Sequence, residues 1–339
     1  MNYYLSRDKR QIRRTLVSDR KSIINTAGGA PVHLIITAAA IVLFFLISLA
    51  IFCWRNVKRS LKPRTVSLEN EILWNKKRGL WGGFDSYSKT EYVIKGKDGY
   101  DLHAMFVDNA SVRGTGKYVI ICHGHTSNRY GSVKYLNSYI KLGFSCIIYD
   151  ARMHGANAPS ICTLGNIESE DLKFVIGDTR KRYPDIKVLG LHGESMGSST
   201  VLSVVRFEPE IDFIVADCGF ISCYDVLHDG YGNLHMGFLA PVINLTGKIL
   251  YHVDMKDTCA LKCLQNNKYP VLFIHGSGDR LIKPYHSELL NDAARKNGAY
   301  TELVMVEGAG HACSRYVAGF EKYTGFIKDF LDKINVPDN

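Results

Sequence analysis

Residues 193–197 read GESMG, a Gly-x-Ser-x-Gly pattern that places a serine between two glycines. An apolar, strand-like run precedes this pattern, and a stretch without helix breakers follows it. A serine in that setting sits on a sharp strand-to-helix turn, where small neighbours leave room and the helix N-terminus favours developing negative charge. We therefore predict that Ser195 is a nucleophile that projects above a sheet.

A serine hydroxyl is a weak nucleophile unless a base removes its proton. Two polar residues, Asp279 and His311, each directly follow a predicted strand later in the chain. The order serine, acid, histidine is the one expected when a nucleophilic serine sits on a strand-to-helix turn. His311 is predicted to act as general base and then general acid, while Asp279 orients and stabilises its imidazole. Asp217, also at the end of a predicted strand, is the alternative acid.

Attack by a serine on a carbonyl produces an oxyanion, which needs preorganised hydrogen-bond donors. One predicted donor is the backbone N–H of Met196, immediately after the nucleophile. The second is expected in the loop after the third strand, where residues 123–126 read HGHT. We assign it to the backbone N–H of His125.

The elements that position these residues follow from the hydrophobic pattern. Short β-rich runs alternate with helical patterns, which predicts a mostly parallel sheet with helices on both faces and an antiparallel hairpin at one edge. The predicted strands are residues 90–96, 101–108, 117–124, 144–150, 186–193, 211–219, 269–276 and 300–308, and the predicted helices include 132–141, 169–183 and 314–334. Residues 220–265 break the alternation and are too long for a simple connection, so we interpret them as a lid.

Five motifs occur in order at the ends of these strands: HGHTSN (123–128), DARMHG (150–155), GESMG (193–197), HGSGDRLIKP (275–284) and GAGH (308–311). Across residues 88–335 the chain resembles an α/β-hydrolase, of the branch that contains serine aminopeptidase-like and monoacylglycerol-lipase-like enzymes. The resemblance implies hydrolysis of an ester or amide without a metal or an organic cofactor.

Residues 32–54 form a run of 23 residues without a charge. At 1.5 Å per residue, a helix of this length spans the hydrocarbon layer of a bilayer. The run is longer than the apolar part of a secretory signal peptide, and no convincing cleavage site follows it. We therefore predict a retained transmembrane anchor, with residues 1–31 as a basic N-terminal segment and residues 55–88 as a connector.

The net charge of +9 belongs to the N-terminal part of the chain. Residues 1–64 hold twelve Lys and Arg against two acidic residues, whereas the remainder is close to neutral. A neutral body argues against binding of nucleic acid. Seven basic residues precede the apolar run and five follow it, which slightly favours an N-terminus on the cytoplasmic side.

The nine cysteines are expected to be free thiols, several of them in apolar runs.

Together these features predict a membrane-anchored serine hydrolase, with residues 89–339 as the hydrolase domain. The expected substrate is a carboxylic ester with an acyl group, because aromatic side chains in the lid segment can cover an apolar pocket. These aromatic residues are Phe220, Tyr224, Tyr231, Phe238 and Tyr251. A serine peptidase, aminopeptidase or thioesterase with the same three residues is the alternative. A non-catalytic scaffold is a more remote one, since none of the three residues is missing.

Overall fold

The computed structural model describes residues 32–108, 115–296 and 298–337, so the predicted basic segment 1–31 lies outside the described residues. The strands in the described part are β1 (Ser88–Lys95), β2 (Asp101–Asp108), β3 (Lys117–Cys122), β4 (Ser145–Tyr149), β5 (Val188–Glu194), β6 (Phe213–Asp217), β7 (Val271–Gly276) and β8 (Thr301–Val306).

The helices in the same part of the chain are α1 (Val32–Leu61), α2 (Leu68–Lys77), α3 (Val133–Lys141), α4 (Asn166–Arg182), α5 (Met196–Ser203), α6 (Cys223–Gly232), α7 (Leu239–Tyr251), α8 (Ala260–Cys263), α9 (Tyr285–Lys296), α10 (Ser314–Ala318) and α11 (Phe320–Lys333). Short 3-10 turns lie at Phe84–Ser86, Lys97–Gly99, Arg129–Ser132, Val204–Phe207 and Leu264–Asn266.

The eight strands form one sheet in the order β1-β2-β4-β3-β5-β6-β7-β8. β2 pairs antiparallel with β1 and with β4, and the remaining pairs are parallel. The central strands β3, β5, β6 and β7 are buried along their whole length, as expected where helices cover both faces of a parallel sheet. This arrangement confirms the predicted α/β-hydrolase fold with its antiparallel edge.

Apolar side chains pack on both faces of the sheet. Along β3, Ile120 belongs to one buried cluster, while its neighbours Val119 and Ile121 belong to another. Successive side chains of a strand point to opposite faces, so the two clusters form the two layers of the core. The carboxyl ends of the parallel strands then meet at one edge, where the polar loops follow.

Two predicted helices differ from those in the structure. α4 begins three residues before Ser169, because Glu168 accepts a hydrogen bond from the backbone N–H of Gly165 at 2.8 Å and so closes the first turn. Ser169 is therefore inside the helix rather than at its cap. The predicted helix 314–334 is wrong as a single element: it breaks at Gly319, whose φ of +79° lies in the left-handed region that favours glycine.

Part of the segment predicted as a connector packs into the body of the protein. α1 extends to Leu61, and Cys53, Val57 and Leu61 on its last turns are buried. Further on, Trp81 and Phe84 join the core cluster on one face of the sheet. Contacts divide the chain into two units after Phe52, so residues 53–88 belong to the same unit as the sheet.

The apolar part of α1 has a mean hydropathy of 3.0 over its most apolar window, none of which is buried. Its length and composition therefore suit a membrane span, a description that a signal sequence also fits.

Candidate active site

Ser195 occupies the turn between β5 and α5 with a φ of +53° and a ψ of −112°. A positive φ at a residue with a side chain costs about 1–3 kcal/mol and persists only where the surroundings enforce it. Around Ser195, backbone atoms approach both glycines of the motif closely. A Cβ on Gly193 would lie 2.2 Å from the carbonyl oxygen of Gly197, and a Cβ on Gly197 would lie 2.1 Å from that of Cys122. Both glycines of the motif are therefore required by the approach of strand and helix.

The structure brings Ser195, His311 and Asp279 into one hydrogen-bonded chain. The Oγ of Ser195 lies 2.9 Å from Nε2 of His311, and Nδ1 of His311 lies 2.7 Å from Oδ2 of Asp279. A carboxylate accepts the hydrogen on Nδ1, which leaves Nε2 as an acceptor for the serine proton. Asp279 follows β7 and His311 follows β8, so the carboxyl ends of two neighbouring strands position the pair.

The carboxylate of Asp279 is held on both of its oxygens. Oδ1 accepts the backbone N–H groups of Leu281 and Ile282, each at 2.9 Å, and Nε2 of His275 lies 3.4 Å from Oδ2. Burial by itself would raise the pKa of Asp279, but the hydrogen bonds from His275 and His311 outweigh it and hold the pKa below its ordinary value. Asp279 therefore stays ionised beside the imidazole.

His275, near the end of β7, is a further residue that positions the acid. It is fully buried beneath Asp279, with Nδ1 2.6 Å from the hydroxyl of Ser287 and Nε2 2.9 Å from the carbonyl oxygen of Ile282. It thus fixes both the strand end and the loop that carries the acid. Its place at the end of β7, four residues before Asp279, is the only signal in the sequence.

Asp217, the alternative acid, has different partners. Its two oxygens accept the hydroxyls of Ser314 at 3.0 Å and of Tyr323 at 2.8 Å. Burial, followed by the neighbouring Glu194, raises the pKa of Asp217 to about 6. The structure therefore places Asp279, rather than Asp217, against the imidazole of His311.

A buried ion pair involves Glu194, the residue that precedes Ser195. The side chain of Glu194 contacts the ammonium of Lys134 and the hydroxyl of Tyr135, and all three residues are buried. Burial acts to lower the pKa of Lys134, but the charge of Glu194 outweighs it and the pKa is raised. Neither member of the pair was predicted from the sequence, since they are far apart in the chain.

The loop after β3 lies beside Ser195 and is held by histidines. A Cβ on Gly124 would lie 3.7 Å from the Cβ of Ser195. Nε2 of His123 accepts the backbone N–H of Ala151 at 2.9 Å, and Nε2 of His154 accepts that of Thr126 at 3.2 Å. Burial lowers the pKa of His123 to about 4 and that of His154 to about 3, so both act as neutral acceptors.

The side chain of His125 is held by a hydrogen bond to α1. Its Nε2 donates to the carbonyl oxygen of Ser60, on the last turn of α1, at 3.0 Å. Met196 directly follows Ser195 and begins α5. The two predicted oxyanion donors thus belong to the two segments that flank the nucleophile.

A groove of about 400 Å³, here called the active-site groove, opens beside His311. Helix α2 and the residues before it form one wall, with Val66, Glu71 and Trp74 facing the groove. Glu194 and Lys134 line it as well. Among the described residues, the predicted lid segment contributes none to this groove, so its aromatic side chains do not cover it. The wall comes instead from the segment that the sequence had assigned to a connector.

Comparison with known proteins assigns a family. The sequence profile of the prolyl oligopeptidase family matches residues 165–335, which include all three residues of the hydrogen-bonded chain. An uncharacterized protein of Bacillus subtilis, YqkD, is 31% identical over 263 residues, covering 76% of this chain and 83% of that protein. An uncharacterized protein of Mycobacterium tuberculosis, Rv2307c, is 24% identical over 223 residues, covering 65% and 72% of the two chains.

Two solved structures share the fold. An esterase of Pyrococcus furiosus, 23% identical, has a TM-score of 0.59 and is matched over 75% of this chain and 94% of its own. An acylaminoacyl peptidase of Pyrococcus horikoshii, 13% identical, has a TM-score of 0.56 and is matched over 73% of this chain but only 42% of its own.

Proposed function

Because this chain belongs to the prolyl oligopeptidase family of serine hydrolases, within the α/β-hydrolase superfamily, we propose that it cleaves carboxylic esters through an acyl-enzyme intermediate. The observation that carries the proposal is the continuous chain of hydrogen bonds from Ser195 through His311 to Asp279, at 2.9 and 2.7 Å. Nucleophile, base and orienting carboxylate have the mutual geometry that acyl transfer requires.

In the proposed reaction, Oγ of Ser195 attacks the ester carbonyl while Nε2 of His311 takes its proton. The oxyanion accepts hydrogen bonds from the backbone N–H groups of His125 and Met196. As the tetrahedral intermediate collapses, His311 gives the proton to the departing alkoxide, and an alcohol leaves. Water then attacks the acyl-serine, His311 takes one of its protons and returns it to Ser195, and a carboxylic acid leaves.

The active-site groove supports an ester as the substrate. Val66 and Trp74 give its wall an apolar part that suits an acyl chain. The two carboxylates that line it are already engaged: Glu194 pairs with Lys134, and Glu71 accepts a hydrogen bond from Asn75 at 3.3 Å. An aminopeptidase substrate carries a free ammonium group that needs an ionised carboxylate, and burial raises the pKa of Glu71, which disfavours its charged form.

A peptidase is the second candidate. The family profile and the similarity to an acylaminoacyl peptidase favour it, and the same three residues serve amide or thioester cleavage. A panel of p-nitrophenyl esters, acyl thioesters, and acylaminoacyl and aminoacyl p-nitroanilides separates the candidates. Each kcat/KM is divided by the rate constant for alkaline hydrolysis of the same substrate, because activated esters react faster than anilides without any enzyme preference. A higher corrected value on the acyl esters than on every anilide and thioester supports the proposal, and the reverse order supports the alternative.

Ser195→Ala is the direct test of the mechanism. We expect this variant to lose ester hydrolysis and labelling by a fluorophosphonate probe. Ser203→Ala is the matched control, because Ser203 is a buried serine on the same helix, α5, and is not part of the hydrogen-bonded chain. Ester hydrolysis that persists in the Ser195 variant would exclude Ser195 as the nucleophile.

Attachment to a membrane through residues 32–54 is the second part of the proposal. The length and hydropathy of α1 support it, as do the basic residues on both sides of the apolar run. The full-length chain is expected to stay in the membrane pellet after extraction with alkaline carbonate. A shortened, soluble product would instead identify a cleaved signal sequence.

A further inference from the structure

A second groove, here called the basic groove, has a volume of about 680 Å³ and lies beyond Thr126 from the active-site groove. Five cationic side chains line it together with Trp54: Arg55, Lys58, Arg59, Lys62 and Arg64. Nothing in the proposed hydrolysis uses these residues.

The five cations lack anionic partners among the residues that the structure describes. All five residues are exposed, and none of them forms an ion pair with any residue that the structure describes. Two of them contact aromatic rings: Nζ of Lys58 lies 5.2 Å from the ring of Trp54, and Nζ of Lys62 lies 5.8 Å from that of Tyr251. A concave site lined by charges of one sign focuses the potential and attracts a counter-ion. The groove is therefore suited to an anion from outside the chain.

The position of the groove in the sequence points to the source of that anion. Its cationic residues begin one residue after the apolar run 32–54, and Trp54 is an amphipathic residue of the type that lies at the level of lipid headgroups. A cluster of four to eight Lys and Arg next to a membrane helix attracts anionic lipids. Phospholipid phosphate is the anion that such a position meets first.

Helix α7 adds an apolar surface next to the same end of α1. Thr246 of α7 hydrogen-bonds the thiol of Cys53, and the ring of Tyr251 lies 5.8 Å from Nζ of Lys62. On its outer side, α7 exposes Val242, Leu245 and Ile249, which are 38%, 54% and 64% accessible. Their spacing puts them on one face of the helix, as in helices that lie in a membrane interface.

The basic groove is also connected to the catalytic loop. The backbone N–H of Val66 donates to the carbonyl oxygen of Thr126 at 2.8 Å, and Thr126 lines both grooves. A headgroup in the basic groove would therefore lie next to Thr126, which also lines the active-site groove.

We propose that the basic groove binds the phosphate headgroup of anionic phospholipids, with the exposed apolar face of α7 against the same bilayer surface. This inference rests on the proposed membrane attachment and adds a lipid site that the hydrolysis itself does not need.

The test uses the full-length chain in nanodiscs with equal amounts of phosphatidylglycerol and phosphatidylcholine. Native mass spectrometry of the released protein measures which lipid stays bound. We expect the wild-type chain to retain phosphatidylglycerol preferentially, and K58Q/R59Q/K62Q to lose about tenfold or more of that preference. K262Q/R295Q/K296Q removes three exposed charges elsewhere and should retain it. Millimolar inorganic phosphate should not displace the lipid, which separates a headgroup site from a free phosphate site.

Each outcome bears on the inference. Equal retention of the two lipids by the wild-type chain, equal loss in both triple variants, or displacement by inorganic phosphate would overturn it. Fluorophosphonate labelling of the same samples reports on the fold and on Ser195. If the protein prefers phosphatidylglycerol but hydrolyses no ester, the lipid site is supported and the proposed ester hydrolysis is wrong. If the protein inserts into neutral nanodiscs without any lipid preference, the membrane attachment is supported and the lipid site is wrong.

Discussion

The imidazole of His125 donates a hydrogen bond to the carbonyl oxygen of Ser60 across 3.0 Å. This bond joins the last turn of the apolar helix to the loop that flanks the nucleophile. Burial lowers the pKa of His125, so the ring stays neutral and donates from Nε2 at neutral pH. The segment after the apolar run is therefore a structural part of the candidate active site.

His125→Ala removes that bond but keeps the backbone N–H proposed to bind the oxyanion. A hydrogen bond of this kind contributes about 1 kcal/mol, so we expect kcat for a p-nitrophenyl ester to fall about fivefold, with KM little changed. His228→Ala, at an exposed histidine of α6, is the control and should leave kcat unchanged. An unaltered kcat in the His125 variant would show that the loop keeps its position without Ser60.

The two candidate acids can be separated by matched amide substitutions. Asp279→Asn should lower kcat by about 10³–10⁴-fold, because an amide cannot hold the imidazole in the required tautomer. Asp217→Asn should keep kcat within a few-fold of the wild type, since Asp217 accepts from Ser314 and Tyr323 instead of His311. Steady-state kinetics on one ester substrate measures both, and comparable losses in the two variants would contradict the assignment.

The raised pKa of Asp217 predicts that the stability of the protein depends on pH. Its pKa in the folded protein, about 6, lies above the ordinary 3.8, so folding favours the protonated carboxyl. That contribution is present below about pH 4 and is lost as the pH rises through about 6. Asp217→Asn cannot ionise. The free energy of unfolding of the variant relative to the wild type should therefore rise by about 3 kcal/mol between pH 4 and pH 8.

Urea unfolding followed by tryptophan fluorescence at several pH values gives this difference. The low pKa of Asp279 costs both proteins stability at acidic pH, and its effect cancels in the comparison. A difference that stays constant with pH would mean that Asp217 is ionised throughout.

At the glycines of the strand-to-helix turn around Ser195, one added methyl group is expected to lower the stability of the protein strongly. In Gly197→Ala the new Cβ would meet the backbone of Cys122 at 2.1 Å, and neither segment can move without disturbing β3 or α5. We expect a loss of about 3 kcal/mol or more in the free energy of unfolding. Gly177→Ala is the control, because Gly177 lies within α4 with open space around it.

Alanine is favoured over glycine inside a helix by about 1 kcal/mol, so the control variant should be slightly more stable than the wild type. Thermal unfolding of the two variants in parallel checks the pair. Equal effects of the two substitutions would show that the strand-to-helix turn has more room than the structure indicates.

By itself the sequence determined the fold class and named the residues of the candidate active site. Apolar runs such as residues 117–124 reveal buried strands because burial acts on every residue of a central strand. The GESMG motif carries its own geometric requirement, since only glycine permits the contacts seen at Gly193 and Gly197. Polar residues after successive strands then share one edge of the sheet, which is why Ser195, Asp279 and His311 could be named together.

Only the tertiary structure decided how residues distant in sequence meet. It placed Asp279 rather than Asp217 against the imidazole of His311 and paired Lys134 with Glu194. It also brought Nε2 of His275 to 3.4 Å from Oδ2 of Asp279. It also turned a predicted connector into the wall of the active-site groove, through Val66 and Trp74. Local periodicity reports whether a residue is buried, but the choice of its partner depends on how separate elements pack, and that information is spread over the whole chain.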